Sequence, residues 1–217
     1  MSQTSPVLRL VVAVTSDTAF IEVNAIPSLI RAIEGLQIFW PNVPLSVAVT
    51  PENLSVATKL LIDRKVAHEL LMCQTISPHD LAAALLPDCA IFDAIIIHDA
   101  SRPLTHPDLL VRLISSLHNG ADAVRPAIAF TETLKIVEPS GVIRKTLDRT
   151  SVKHISTPEI IRTSALNPTG QDSGWLLPLR LGARVEHIEG SPEGMRINSP
   201  ADRDLLESFL HWRQLNV

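Results

Sequence analysis

Residues 7–14, VLRLVVAV, form an apolar, valine-rich run of strand length, the pattern of a strand covered on both faces. Residues 27–40, PSLIRAIEGLQIFW, place apolar positions at helical spacing, with a proline suited to a first turn and Pro41 as a stop. The two patterns then repeat. Residues 44–50 predict a second strand and 52–65 a second helix, while 68–73 fit a short third strand. Residues 77–86 predict a helix with Ser77 as its cap, followed by Pro78 and Asp80 in the first turn. Residues 92–99, FDAIIIHD, are the clearest buried strand. Residues 105–120 predict a helix capped by Thr105, with Pro107 and Asp108 in its first turn and Asn119-Gly120 as its stop. Another strand is expected over 121–130. Four alternations of strand and helix predict an α/β fold with a doubly wound, mostly parallel, Rossmann-like sheet.

The pattern breaks after residue 130. Residues 133–149 alternate on both sides of the turn EPSG, which is the signal of a β-hairpin and not of a strand–helix–strand unit. An arm over about 131–160, projecting from a single domain spanning 1–217, is therefore expected. After the segments 183–190 and 194–199 comes a last helix, with Ser199 as cap, then Pro200 and Asp202 in its first turn.

Composition agrees with one folded domain. Hydrophobic residues make up 46% of 217 and charged residues 19%, enough for a substantial core and unlike a disordered chain. The net charge is -4 and no basic run exceeds two residues, which argues against nucleic acid as a partner. Cys73 and Cys89 are too few for a disulfide framework and lack zinc-ligand spacing. The opening MSQTSP is polar and not a charged-then-apolar signal, and no apolar run approaches the roughly 18–20 residues that span a bilayer. A cytoplasmic protein without a membrane partner is expected, and Asn53-Leu54-Ser55 reads as a chance match to a glycosylation acceptor. Glycine changes the picture most. There are 8, against roughly 15 at an average usage of about 7%, and none precedes Gly35. A phosphate-cradling loop after the first strand would have to be built without glycine.

Candidate chemistry gathers after the IIIHD strand. In an open parallel sheet, ligands sit outside the carboxyl ends of strands. Asp99 falls at such an end and Arg102 three residues later, before a helix. A carboxylate there can hold Mg²⁺, and an arginine can clamp a phosphate; equally, the two can close a loop as a salt bridge. QDSGW at 171–175 has a superficial likeness to the nucleophile segment of trypsin-like proteases. Such chemistry needs a His and an Asp brought together on a β-barrel, which alternating strands and helices do not supply.

Four stretches in order, IIIHDASRP, TETLKIV, TLDRTSVKHISTPE and EGSPEGMRINSPADRDLLE, resemble the family of 2-C-methyl-D-erythritol 4-phosphate cytidylyltransferases over about residues 90–215. The resemblance implies a nucleotidyltransferase fold whose β-arm exchanges across a homodimer. It also implies a reaction that joins CTP and methylerythritol phosphate into a CDP-alcohol with release of pyrophosphate, assisted by Mg²⁺, in non-mevalonate isoprenoid biosynthesis. By the same resemblance, Asp99 is the acid near metal and substrate, Arg102 the neighbouring arginine and Thr133 a substrate-contacting threonine before the arm. Arg149 and Thr157 match arm residues that reach the partner subunit's substrate phosphate. Arg196 stands where the family has a lysine close to both substrates, a bulkier and planar replacement.

The chain departs from the family on the CTP side. Where the family has a Gly-rich loop with an arginine and a lysine, this chain reads VAVTSDTAFIEVNAIPSLI, without Gly, Arg or Lys and with Asp17 and Glu22. The family's second nucleotide segment is LMCQTISPHD here, again without Gly or Arg, and the Gln of its Thr-Pro-Gln is Glu159. One charged group aimed at transferring phosphoryl oxygens contributes about 10³–10⁵ in rate. The expectation is a divergent homologue with weak or lost transfer activity that holds a phosphorylated small molecule. Two other readings stay open: a working enzyme whose basic groups come from Arg31, Lys65 or a partner subunit, and a dimeric interaction protein without catalysis.

Overall fold

The structure, a computed structural model, describes residues 6–171 and 174–215. The apolar run opens as β1 (Leu8–Ala13) and, after a tight 3-10 turn, a two-residue-per-strand hairpin of β2 (Glu22–Val23) and β3 (Ile26–Pro27) leads into α1 (Ser28–Phe39). There follow β4 (Leu45–Val49), α2 (Leu54–Asp63), β5 (Glu69–Met72), α3 (Pro78–Leu85), β6 (Ala94–Asp99), α4 (Pro107–His118) and β7 (Ala123–Ala129). The second half adds β8 (Lys135–Val137), β9 (Ile143–Thr146), β10 (Lys153–Ile155), β11 (Glu159–Arg162), β12 (Val185–Glu189) and α5 (Pro200–Leu215). No helix among the described residues is long and apolar enough to cross a membrane.

Eight strands make one sheet. β1 lies between β4 and β6 and is parallel to both, and β5 continues the parallel run beyond β4. On the other side β11 is antiparallel to both β6 and β7, so these two run the same way, with β12 parallel to β7. The expected doubly wound, mostly parallel architecture is what forms. Period-2 alternation divides the core. Leu10, Val12, Val47 and Ile96 pack under Leu29 and Ile33 of α1, Leu61 of α2 and Leu110 and Leu113 of α4. Val11, Ala48, Ile95 and Ile97 pack on the other face under Leu81 and Leu85 of α3, and under Trp175, Leu177 and Leu179. The segment around Trp175 thus covers sheet that no helix covers on that side.

Helix starts follow their caps with two shifts. Ser77 and Ser199 cap α3 and α5 as expected: the Ser77 hydroxyl accepts from Asp80 N–H, and Asp202 accepts from the Ser199 N–H at 2.8 Å. α4 is capped by His106, whose Nδ1 accepts from the Asp108 N–H, and not by Thr105. Pro27 sits just outside α1, at the cap position.

The stretch expected as the arm, 131–160, divides. Its first part is the hairpin β8–β9, whose residues are all exposed. Residues 153–155 and the start of β11 instead belong to the main sheet, pairing with β7 and β6. The sequence pattern misses this because a strand that returns antiparallel to the sheet carries the same alternation as the arm it leaves.

Candidate functional site

β1 divides the sheet: the chain leaves it for β4 on one side and returns to β6 on the other. The crevice at the carboxyl ends of β1 and β6 is where an open α/β sheet binds ligands. Register pairs Ala13 with Asp99, so Thr15 and Ser16 emerge beside that carboxylate. Asp99 Oδ1 accepts from the Thr15 hydroxyl at 2.6 Å and the Ser101 N–H at 3.0 Å; Oδ2 accepts from Arg196 Nε at 2.8 Å, with Arg102 Nε 3.9 Å away. Burial would raise the pKa of Asp99, which is only 6% exposed, but the Thr15 hydroxyl, the Ser101 amide and Arg196 outweigh it and hold the carboxyl below the usual range.

Arg196 is placed by the segment 194–199, which forms no strand. Its anchor is Ile197, buried against Val23, Leu104 and Leu206, with its N–H donating to Ser101 O at 2.9 Å. From there the Arg196 guanidinium spans the crevice, donating from Nη2 to the Thr15 and Ser16 hydroxyls at 3.1 and 2.9 Å and from Nη1 to Asn198 Oδ1 at 2.6 Å.

Arg102 is buried, 7% exposed, and donates from Nη1 to Gly194 O at 2.6 Å and Ser156 Oγ at 3.1 Å. Thr157 lies beside it. The Thr157 hydroxyl accepts from the Asp99 N–H at 3.1 Å and bonds His98 Nδ1 at 2.8 Å, while His98 Nε2 is 2.9 Å from Arg102 O. Complete burial lowers the pKa of His98 to about 4. A neutral ring protonated at Nε2 satisfies all of these contacts, because Nε2–H then donates to the carbonyl and Nδ1 accepts the hydroxyl. His98 thereby fastens the loop carrying Arg102 to the strand carrying Asp99.

Asp99, Arg102, Ser156, Thr157, Glu159 and Trp175 line a cavity of about 320 Å³. Glu159 accepts from the Leu176 N–H at 2.8 Å and faces Arg125 Nη1 at 3.5 Å. Burial pushes its carboxyl up to about 7 against the pull of that amide and of Arg125. Arg125 in turn lies 4.2 Å over the Trp175 ring.

A second, larger cleft of about 750 Å³ opens at the ends of β1, β4 and β5. Its lining includes Thr15, Ser16, Asp17, Thr50, Glu52 and Ser77, with two carboxylates and no lysine or arginine. The connection from β1 to α1 is folded against itself and against α5. Its amides at Ala19, Ile21 and Ser28 donate to Ser16, Thr18 and Ile21 carbonyls, and Asn24 N–H donates to Glu207 at 2.7 Å. The hydroxyls of Ser16, Thr18 and Ser101 bond one another. The connection is thus held as a compact turn by its own amides and hydroxyls.

The structure thus brings together Asp99, Arg102, Thr157 and Arg196. It does not bring Thr133 or Arg149 to them: no hydrogen bond or ion pair of the described residues joins either to this network. Thr133 is exposed, and Arg149 donates to Thr131 O at 2.5 Å. Thr157 is not on the arm but buried in the bend between β10 and β11. Thr15, Ser16, Ser101, Ser156, Arg125 and Trp175 were not singled out from sequence; hydroxyls just past a buried valine strand were the available signal for the first two. Within QDSGW, Asp172 and Ser173 lie outside the described residues. Among the described residues, no group of three or more His, Cys, Asp or Glu side chains is arranged to hold a metal.

A family model described as IspD, 2-C-methyl-D-erythritol 4-phosphate cytidylyltransferase, matches residues 11–211. The 2-C-methyl-D-erythritol 4-phosphate cytidylyltransferase of Rhodococcus jostii is 31% identical over 205 residues, covering 89% of this chain and 88% of that one. The protein of the same name from Nocardia farcinica is 30% identical over 206 residues, covering 91% and 87%. Among solved structures, a 4-diphosphocytidyl-2C-methyl-D-erythritol synthase superposes with a TM-score of 0.75 at 21% identity, over 94% of this chain and 98% of that chain. The bifunctional IspDF of Campylobacter jejuni gives 0.70 at 20%, over 90% of this chain and 53% of that chain. At these identities the structures support the fold alone. The match begins at residue 11 and so takes in the N-terminal half, where the departures lie. Family model and relatives together place this chain in the 2-C-methyl-D-erythritol 4-phosphate cytidylyltransferase family.

Proposed function

We propose that this chain is a divergent cytidylyltransferase homologue of the isoprenoid pathway that retains the pocket for a phosphorylated small molecule and has weak or lost transfer of a cytidylyl group from CTP. One observation carries the reading: the cleft beside β1, β4 and β5 is lined by Asp17 and Glu52 without a single lysine or arginine. A triphosphate bound there meets like charge. The polar half of the site is different. Arg102 is held rigidly by Ser156 and Gly194, next to a cavity that suits a small polyol phosphate.

The cations that a working enzyme would need do not come from Arg31 or Lys65. Arg31 donates to Val23 O at 2.7 Å between Glu34 and Glu207, and Lys65 follows α2; neither lines the cleft. Calorimetric titration tests the reading. Methylerythritol phosphate is expected to bind at least about tenfold more tightly than CTP with Mg²⁺; a CTP complex tighter than that of the phospho-polyol would sink it.

On this reading the protein is a cytoplasmic homodimer joined through the arm. Ile136, Val137, Val142 and Ile143 are exposed on the hairpin, an apolar surface that a monomer leaves in water. Thr133 and Arg149, lying away from their own Asp99, would serve the partner's pocket. Sedimentation at micromolar concentration is expected to give a dimer, and paired Val137→Asp and Ile143→Asp substitutions a monomer of unchanged fold. A wild-type monomer would exclude the arm as a dimer contact.

A further inference from the structure

The magnesium ion that the family implies does not fit Asp99 as this chain builds it. Oδ1 already accepts two hydrogen bonds, and Oδ2 lies 2.8 Å from a guanidinium. An ion on that carboxylate would sit beside Arg196 and close to Arg102, in surroundings where like charges repel strongly. Two guanidiniums and one carboxylate leave a single positive charge, the same as Mg²⁺ on one carboxylate. The planar fork of Arg196 also joins what a metal would join: Asp99 on one side and the Thr15 and Ser16 hydroxyls on the other. A lysine, which the resemblance sets at this position in the family, has no Nε–H and no fork with which to bridge them.

We propose that Arg196 takes the place of the divalent cation at Asp99, so that this chain binds its phosphorylated ligand without a metal. The guanidinium is a fixed donor, partly open to the crevice, and unlike Mg²⁺ sheds no coordinated water shell to meet an anion. The metal-free part of the claim rests on the reading above, that a phosphorylated small molecule is bound; the exclusion of a cation from Asp99 stands apart from it.

Two measurements separate these. Mn²⁺ alone, followed by its paramagnetic resonance signal at about 1 mM, is expected to bind wild type no better than Asp99→Ala. Arg196→Ala should bind it through the freed carboxylate, and the Asp99→Ala, Arg196→Ala double variant should not. Methylerythritol phosphate is then titrated calorimetrically with Mg²⁺ and with EDTA. Wild-type affinity should agree within about twofold, whereas Arg196→Ala should lose about tenfold or more on metal removal. Mn²⁺ binding to wild type that Asp99→Ala abolishes would overturn the proposal, as would an Arg196→Ala protein that gains none. Failure of methylerythritol phosphate to bind under both conditions would overturn the metal-free ligand site, and with it the reading above, while the Mn²⁺ result would still decide whether Arg196 excludes the cation.

Discussion

Between pH 5 and pH 8 the melting temperature of Glu159→Gln relative to the wild type is expected to rise by about 6–12 °C. Glu159 is 2% exposed, and burial lifts its carboxyl from 4.5 to about 7 despite the Leu176 N–H and Arg125 nearby. A folded-state value above the unfolded one means that the native protein prefers the protonated acid. Its contribution is complete below pH 4.5 and is lost as pH rises through about 7, so between these the wild type becomes less stable by roughly 3 kcal/mol. Glutamine has the same shape and carries no charge to desolvate; its single oxygen can accept from the Leu176 N–H, and its NH₂ then faces Arg125, a mismatch that costs the variant the same at every pH. The difference between the two melting curves should therefore open with pH. A difference between the two curves that stays constant from pH 5 to pH 8 would show that the Arg125 pair outweighs burial and that Glu159 is ionised in the fold. The family resemblance sets a glutamine at this position, so the carboxylate is a feature of this chain.

The sheet was legible because its strands announce themselves. VLRLVVAV and AIIIHD are apolar but for Arg9, His98 and Asp99, as strands covered on both faces tend to be, and each is followed at the right interval by a helical pattern. The arm hairpin was legible from its turn. What was not legible was where the arm ends. β10 and β11 return antiparallel into the sheet, so Thr157, grouped with the arm by motif, lies in the interior bonded to Asp99 and His98. Of the site, Asp99 and Arg102 could be found from one strand end and one loop, since both lie within four residues of each other. Arg196 could be named but not its role: its contacts with Thr15 and Ser16 span 181 and 180 residues of chain, and no local pattern encodes them. The same holds for Trp175, brought against Arg125 of β7 by a segment with little regular structure. The missing glycines were plain in the sequence; that their replacement is a compact turn and hairpin needed the fold.

The largest effect expected concerns catalysis itself. Each well-placed charge on a transferring phosphoryl group contributes about 10³–10⁵ in rate, or about 4–7 kcal/mol of barrier. The cleft at the ends of β1, β4 and β5 has none among its lining residues and holds two carboxylates instead. Arg196, which bonds Ser16 of that lining, is engaged by Asp99. Even one missing contact of this kind would reduce turnover to a trace. The decisive measurement is pyrophosphate release by the purified protein from CTP, Mg²⁺ and methylerythritol phosphate, with Asp99→Ala beside it. The account predicts no release above that of the variant; turnover in the wild type that Asp99→Ala abolishes would contradict it.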